Sequence, residues 1–243
     1  MSVAIAHRGG CSEAPENTLA AFSAAVRLGY THLETDVHTT ADGVLVAFHD
    51  ADLERMTGAP GGIAQRRWAD LAAIELPGGH HIPTLDEVLD GFGDRFVNID
   101  PKADTAVEPL AIALERHAAI DRVCIGSFSD QRLARLRRRL GPRLCTSAGP
   151  VGTARVLAAA RGARSGRLPY GCIQVPRRMG PIRVTSGLVR RVHRLGLAVH
   201  VWTINDRPSI ERLLDAGVDG IMTDDVGLLR DILIERDRWQ PDR

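Results

Sequence analysis

Eight short apolar runs alternate with segments whose apolar residues recur at helical spacing, and this alternation constrains the fold more than any other feature of the chain. The runs lie at residues 3–7, 31–37, 96–100, 123–125, 144–146, 172–175, 198–202 and 220–223. Helical patterns follow near 17–28, 84–89, 107–117, 131–140, 153–160, 186–195, 209–216 and 227–235. Strands that alternate with helices pair in parallel and are covered by helices on the outside. Eight such units in 243 residues predict an α/β fold, a (β/α)8 TIM barrel, rather than an open doubly wound sheet. Between the second strand and its helix the chain makes an excursion at about 38–83, with an Asp42-Gly43 turn, a strand-like run at 44–48 and a Gly/Pro-rich loop at 58–62. No composition break marks a second domain, so residues 1–243 are expected to form one barrel with a small insertion after the second strand.

A formal net charge of +1 argues against nucleic acid as the main partner, because phosphate-backbone binders carry a basic excess. The one basic stretch, Arg132 to Arg143, reads as a solvated helix face. No apolar stretch approaches membrane-spanning length, and no basic–apolar–small leader precedes His7, so no stable membrane anchor and a cytoplasmic location are expected. Cys11, Cys124, Cys145 and Cys172 form no CxxC pair; three sit in strand-like runs and are expected to be reduced, small buried hydrophobes.

Barrel enzymes place their reacting groups at the C-terminal ends of strands. Here His7 ends the first run, Asp36 falls at the end of the second, Asp100 of the third, Trp202 of the seventh and Thr223-Asp224 of the eighth. Glu34 and Asp36 are two apart on a strand and share one face. Such a buried carboxylate pair needs positive charge, either a metal ion or arginines in structural salt bridges. With Asp100 as a third oxygen donor, the metal reading favours Mg²⁺ or Ca²⁺ over zinc. Lys102 is the only lysine against thirty arginines. Two residues after Asp100, it points to a need for a compact ammonium. Three carboxylates against a divalent ion, Arg8 and Lys102 leave one positive charge, room for a phosphodiester anion. His7 and His49 are the acid/base candidates, since imidazole titrates near neutrality without large perturbation. The adjacent His80-His81 pair lies within the excursion and is expected to be non-catalytic, and His32 to be a core histidine one layer below Glu34.

Several motifs occur in order: His7-Arg8-Gly9, Pro15-Glu16-Asn17-Thr18, Glu34-Thr35-Asp36-Val37, Thr40-Ala41-Asp42-Gly43, His49-Asp50, Ile82-Pro83-Thr84-Leu85, Asn98-Ile99-Asp100-Pro101-Lys102, Ser127-Phe128, Val201-Trp202-Thr203-Ile204-Asn205, and Gly217-Val218-Asp219-Gly220 through Thr223-Asp224. Together, over nearly the whole chain, they resemble the glycerophosphodiester phosphodiesterase family. The resemblance implies a barrel with an insertion after its second strand, and a divalent cation held by Glu34, Asp36 and Asp100. It implies His7 and His49 as the acid/base pair, Arg8 and Lys102 on the phosphate, and Asn17 near the phosphate or metal at the mouth of the site. Trp202 would pack against the glycerol or leaving-group side, and Phe128 would form part of the pocket wall. Two positions depart from the family: many relatives carry glutamate in place of Asp100, and a proline that often follows the last Thr-Asp pair is replaced by Asp225-Val226.

The expected reaction is metal-dependent hydrolysis of a small-molecule glycerophosphodiester to glycerol 3-phosphate and an alcohol. Water and the glycerol 2-hydroxyl remain alternative nucleophiles. The competing readings are a lysophospholipase D-like or cyclising phospholipid-cleaving enzyme on the same barrel, and a non-catalytic phosphodiester-binding protein. The preferred alcohol, the metal, the division of acid and base between the histidines, and the oligomeric state are left open by the sequence.

Overall fold

The computed structural model describes residues 2–180 and 182–240. Eight parallel strands close into a barrel: β1 (Val3–Ala6), β2 (His32–Thr39), β3 (Phe96–Pro101), β4 (Val123–Ile125), β5 (Cys145–Ala148), β6 (Cys172–Pro176), β7 (Ala198–Trp202) and β8 (Gly220–Thr223). Closure comes from β1, which pairs with β8 through Ala4↔Ile221 and with β2 through Ile5↔His32. The eight principal helices are α1 (Leu19–Arg27), α2 (Leu85–Gly91), α3 (Val107–Arg116), α4 (Asp130–Leu140), α5 (Pro150–Ala159), α6 (Ser186–His193), α7 (Arg207–Ala216) and α8 (Val226–Glu235). The alternation read from the sequence is the observed (β/α)8 order.

Side-chain alternation along each strand builds two layers. Ile99, Ile125, Ile173 and Val199 are fully buried and belong to the core shared with helix residues such as Leu110, Leu133, Val192 and Ile210. The opposite parity faces the barrel axis and carries the polar groups. Local chemistry starts each helix where the barrel needs it. Thr18, Ser129, Thr185 and Asp206 accept hydrogen bonds from backbone N–H groups of the first turn, and Thr84 with Glu87 forms a capping box on α2. Asp225, one of the two departures from the resembled motif, caps α8 by accepting from the Leu228 N–H. That departure therefore keeps the helix start.

The second strand is longer than its apolar pattern indicates. The chain returns as Leu45–Ala47 and pairs antiparallel with β2 at Val37↔Ala47, which carries β2 on to Thr39. Asp36 thus lies within the strand and not at its end. The excursion packs Val46, Phe48, Leu53, Ile63, Leu71, Leu76 and Ile82 into a small core of its own before Thr84 restarts the main pattern. Among the described residues no helix is long and apolar enough to cross a membrane.

The cysteines need one correction. Cys124 and Cys172 face the barrel axis with their sulfurs 3.8 Å apart, but Cys145 is exposed, because β5 begins at the N-terminal mouth of the barrel. His32 stacks on Phe96 at 4.9 Å near that mouth, and burial, aided by His200, pushes its pKa down to about 4. It is a neutral core histidine.

Candidate active site

A cavity of about 540 Å³ opens at the C-terminal ends of the strands, and His7, Arg8, Glu34, Asp36, His49, Asp100, Lys102, Phe128 and Trp202 all line it. Register explains the carboxylate cluster: β2 and β3 pair with Asp36 directly beside Asp100. Both histidines arrive from turns just past a strand. His7 is the first residue after β1, in a tight turn where Arg8 and Gly9 have left-handed backbones (φ 52° and 85°). Gly9 is required there twice over, since a Cβ would also lie 2.9 Å from Ala21 Cβ and the Phe22 nitrogen of α1.

Each histidine has one ring nitrogen fixed by a carboxylate. His7 Nδ1 lies 2.6 Å from Asp224 Oδ1, and Asp224 is itself held by Asn205 Nδ2 at 2.8 Å. His49 Nδ1 lies 2.6 Å from Asp50 Oδ1. With Nδ1–H donated to a carboxylate, each Nε2 is left for proton transfer. Burial lowers the His7 pKa, but the Glu34 charge and the Asp224 hydrogen bond outweigh it and the net shift is upward. Burial likewise pushes Asp224 up, and hydrogen bonds from His7 and Asn205 more than reverse this, holding it ionised below the usual range.

The cations are interleaved with the carboxylates. Lys102 Nζ bridges Asp36 Oδ1 at 2.6 Å and Asp100 Oδ2 at 2.7 Å. Arg8 donates its backbone N–H to Glu34 Oε2 at 2.9 Å and Nη1 to Glu16 Oε1 at 3.0 Å, and its Nε lies 3.1 Å from Asp36 Oδ2 without hydrogen-bond geometry. Burial would raise Asp36, yet Lys102 and Arg8 bring it below the normal carboxylate range. Glu34 has only a looser side-chain contact, with His7 Nε2 at 3.9 Å from its Oε2, and burial, then the Asp36 charge, push it up to about 7 against the pull of His7 and Lys102. Burial also raises Asp100 against the opposing pull of Lys102.

The donors Glu34, Asp36 and Asp100 are hard oxygens, and Asp100 Oδ1 is buried without a hydrogen-bond partner, an atom of the kind a cation satisfies. As the side chains stand, Asp36 and Asp100 turn to Lys102. Among the described residues no group of three or more His, Cys, Asp or Glu side chains is drawn together around an ion position.

Asn17 lies against Asp36, one of the carboxylates expected to hold the metal, but below the mouth and outside the cavity lining. It is buried with a left-handed backbone, accepts from Thr35 Oγ1 at 2.8 Å, and donates Nδ2 to Asp36 Oδ2 at 3.3 Å. It orients Asp36 from behind. His80 and His81 line no part of the cavity. Sequence reasoning gave no role to Asp224, Asn205, Asp50 or Arg55. The polar ends of β7 and β8 were a usable signal for the first two. For Arg55, which holds Asp50 and reaches Glu16 Oε1 at 2.6 Å, there was none, because the contact depends on how the insertion folds back.

Two carboxylate-anchored imidazoles, cations and a cluster of carboxylates at the C-terminal mouth of a barrel define a hydrolase site for a charged ester. The family model for the glycerophosphoryl diester phosphodiesterase family matches residues 7–228. The chain is 41% identical to a Mycobacterium tuberculosis protein named "Probable glycerophosphodiester phosphodiesterase 2", over 98% of this chain and 92% of the relative. It is 31% identical to a glycerophosphodiester phosphodiesterase of Caldanaerobacter subterraneus, over 92% of this chain and 94% of that one. A solved Oleispira antarctica phosphodiesterase, in complex with its product sn-glycerol-3-phosphate, shares the fold at a TM-score of 0.81, with 24% identity over 96% of this chain and 97% of that one. The chain belongs to the glycerophosphoryl diester phosphodiesterase family and is a phosphodiesterase enzyme.

Proposed function

We infer that the protein hydrolyses glycerophosphodiesters to glycerol 3-phosphate and an alcohol, with a divalent cation, Mg²⁺ or Ca²⁺, held by Glu34, Asp36 and Asp100, and with His7 and His49 exchanging protons. The observation that carries this reading is the pair of imidazoles, each locked at Nδ1 by a carboxylate at 2.6 Å, lining the same cavity as Arg8 and Lys102. When bound, the cation supplies charge stabilisation for the phosphoryl oxygens.

The side chains do the rest. Arg8 and Lys102 receive the anionic diester and compensate the charge that builds on its oxygens during attack. One histidine, neutral at Nε2, takes the proton from the attacking hydroxyl. The other, protonated at Nε2, gives its proton to the departing alkoxide, so the alcohol leaves neutral. Asp224 and Asp50 hold the rings in the orientation this requires and stabilise the imidazolium form. Asn17 fixes Asp36 from behind, and Trp202 with Phe128 walls the cavity on the side away from the charges. The test is phosphorus NMR of the products from glycerophosphoglycerol. A glycerol 3-phosphate monoester resonance supports the reading; a diester left intact by the folded protein refutes it.

A further inference from the structure

The cavity is divided by charge. Its charged and imidazole lining residues come from β1, β2 and β3, the turns at their ends and the insertion after β2: His7, Arg8, Glu34, Asp36, His49, Asp100 and Lys102. From the end of β4 round to β8, the lining carries no charged side chain among the described residues; its wall is formed mainly by Ala148, Pro150, Val175, Met179, Trp202 and Met222, interspersed with the neutral polar groups of Ser127, Ser147, Thr153, Gln174 and Thr203. A primary ammonium placed there would meet no carboxylate, whereas an alkyl group would be covered.

The apolar wall continues outward over a built lip. Phe128 is 69% exposed and Val151 is 65% exposed, the two most exposed large hydrophobic side chains among the described residues. Both sit at this mouth, Phe128 on the β4–α4 loop and Val151 beside the cavity-lining Pro150 at the start of α5. Asp130 ties the two loops together by accepting from the backbone N–H of Val151 at 2.9 Å and of Gly152 at 2.8 Å. Phe128 also stands edge-on to Trp202, with ring centroids 5.8 Å apart. Phe128 and Val151 thus put exposed apolar surface on the rim of the mouth, and continuity through Phe128 with the cavity makes the substrate itself the occupant.

We propose that the preferred substrates are glycerophosphodiesters of an uncharged alcohol carrying an alkyl chain, which lies along this wall and leaves the cavity over Phe128 and Val151. The proposal rests on the phosphodiesterase reading and names its substrate class. A methylene fully removed from water strengthens binding roughly fourfold. A one-sided wall covering part of an octyl chain therefore predicts kcat/KM at least about tenfold above that for a second glycerol as alcohol.

The experiment compares glycerol 3-phosphate release from glycerophosphodiesters of octanol, glycerol, ethanolamine and choline, all below their aggregation limits. It includes the double variant Phe128→Ser/Val151→Ser, with thermal unfolding as the fold control. An octyl-to-glyceryl ratio of about ten or more that falls at least threefold in the variant supports the proposal. A ratio near one, or preference for the choline or ethanolamine diester, overturns it. A ratio unchanged by the variant, with binding to neutral lipid vesicles lost instead, also overturns it and assigns the lip to a membrane surface. Release from none of the four refutes the phosphodiesterase reading itself.

Discussion

Replacing Asp224 by asparagine changes one atom of the site and tests how His7 is controlled. Asp224 Oδ2 accepts from Asn205 Nδ2 at 2.8 Å, while Oδ1 faces His7 Nδ1 at 2.6 Å. In Asp224→Asn the Asn205 donor selects the amide orientation: the new carbonyl oxygen must take the Oδ2 place, and the NH2 then points at His7. Nδ1 becomes an acceptor, so the ring proton moves to Nε2, the nitrogen that faces the substrate side. The ring can then no longer accept a proton there. It also loses the negative charge that stabilises its protonated form, so both possible roles fail. A hydrogen bond to a charged group contributes about 1.5–3 kcal/mol, and a positioned acid or base accounts for roughly 10²–10⁴ in rate. We expect kcat to fall at least about a hundredfold, with KM little changed, because Asp224 does not line the cavity. Steady-state release of glycerol 3-phosphate measures this, with circular dichroism and thermal unfolding to show that the barrel persists. Activity within threefold of the parent would refute the assignment of Asp224 as the positioning residue for His7.

Four further substitutions probe other parts of the site and the core. His7→Ala and His49→Ala should each abolish turnover and leave the fold intact, and full activity in either would remove that residue from the acid/base pair. Lys102→Met strands Asp36 and Asp100, whose side chains are 3% and 13% exposed, and should cost about 3 kcal/mol of stability. Mg²⁺ or Ca²⁺ should raise the melting temperature of the parent and raise it further in the variant; no rise in either would argue against a cation at these carboxylates. His32 supplies a pH test of the core. Its folded pKa of about 4 lies below the unfolded value near 6.5, so the unfolded chain binds more protons between these values. Its stability contribution is present above pH 6.5 and is lost as pH falls toward 4, about 3 kcal/mol in all. Urea midpoints at pH 4.5 and 7 should differ less in His32→Gln than in the parent, and an unchanged difference would contradict the burial argument.

The barrel was readable because its code is local. Strands at 123–125, 198–202 and 220–223 show as apolar runs of the observed length, and helix starts are marked by Thr18, Thr84, Ser129 and Asp206 within a turn of the first helical residue. The full length of β2 is not local: Thr39 belongs to the strand only through an antiparallel partner supplied by the insertion. In the site, residues on strands could be placed by parity, as for Glu34, Asp36 and Asp100. Groups that meet across the fold could not. His7 and Asp224 stand 217 positions apart and become neighbours only when β1 closes against β8. The inward turn of Asn17, the exposure of Cys145 and the reach of Arg55 to Asp50 depend in the same way on tertiary placement.

The central claim is that a cation-assisted pair of histidines cleaves glycerophosphodiesters at this barrel mouth. Its most direct test follows glycerol 3-phosphate release from glycerophosphoglycerol by protein stripped with a chelator, then resupplied with Mg²⁺ or Ca²⁺. The account predicts release that disappears on stripping and returns with the ion, in parent protein but not in Asp36→Asn. Undiminished release by the stripped protein would contradict the cation's part in it, and absence of release under every condition would contradict the reaction itself.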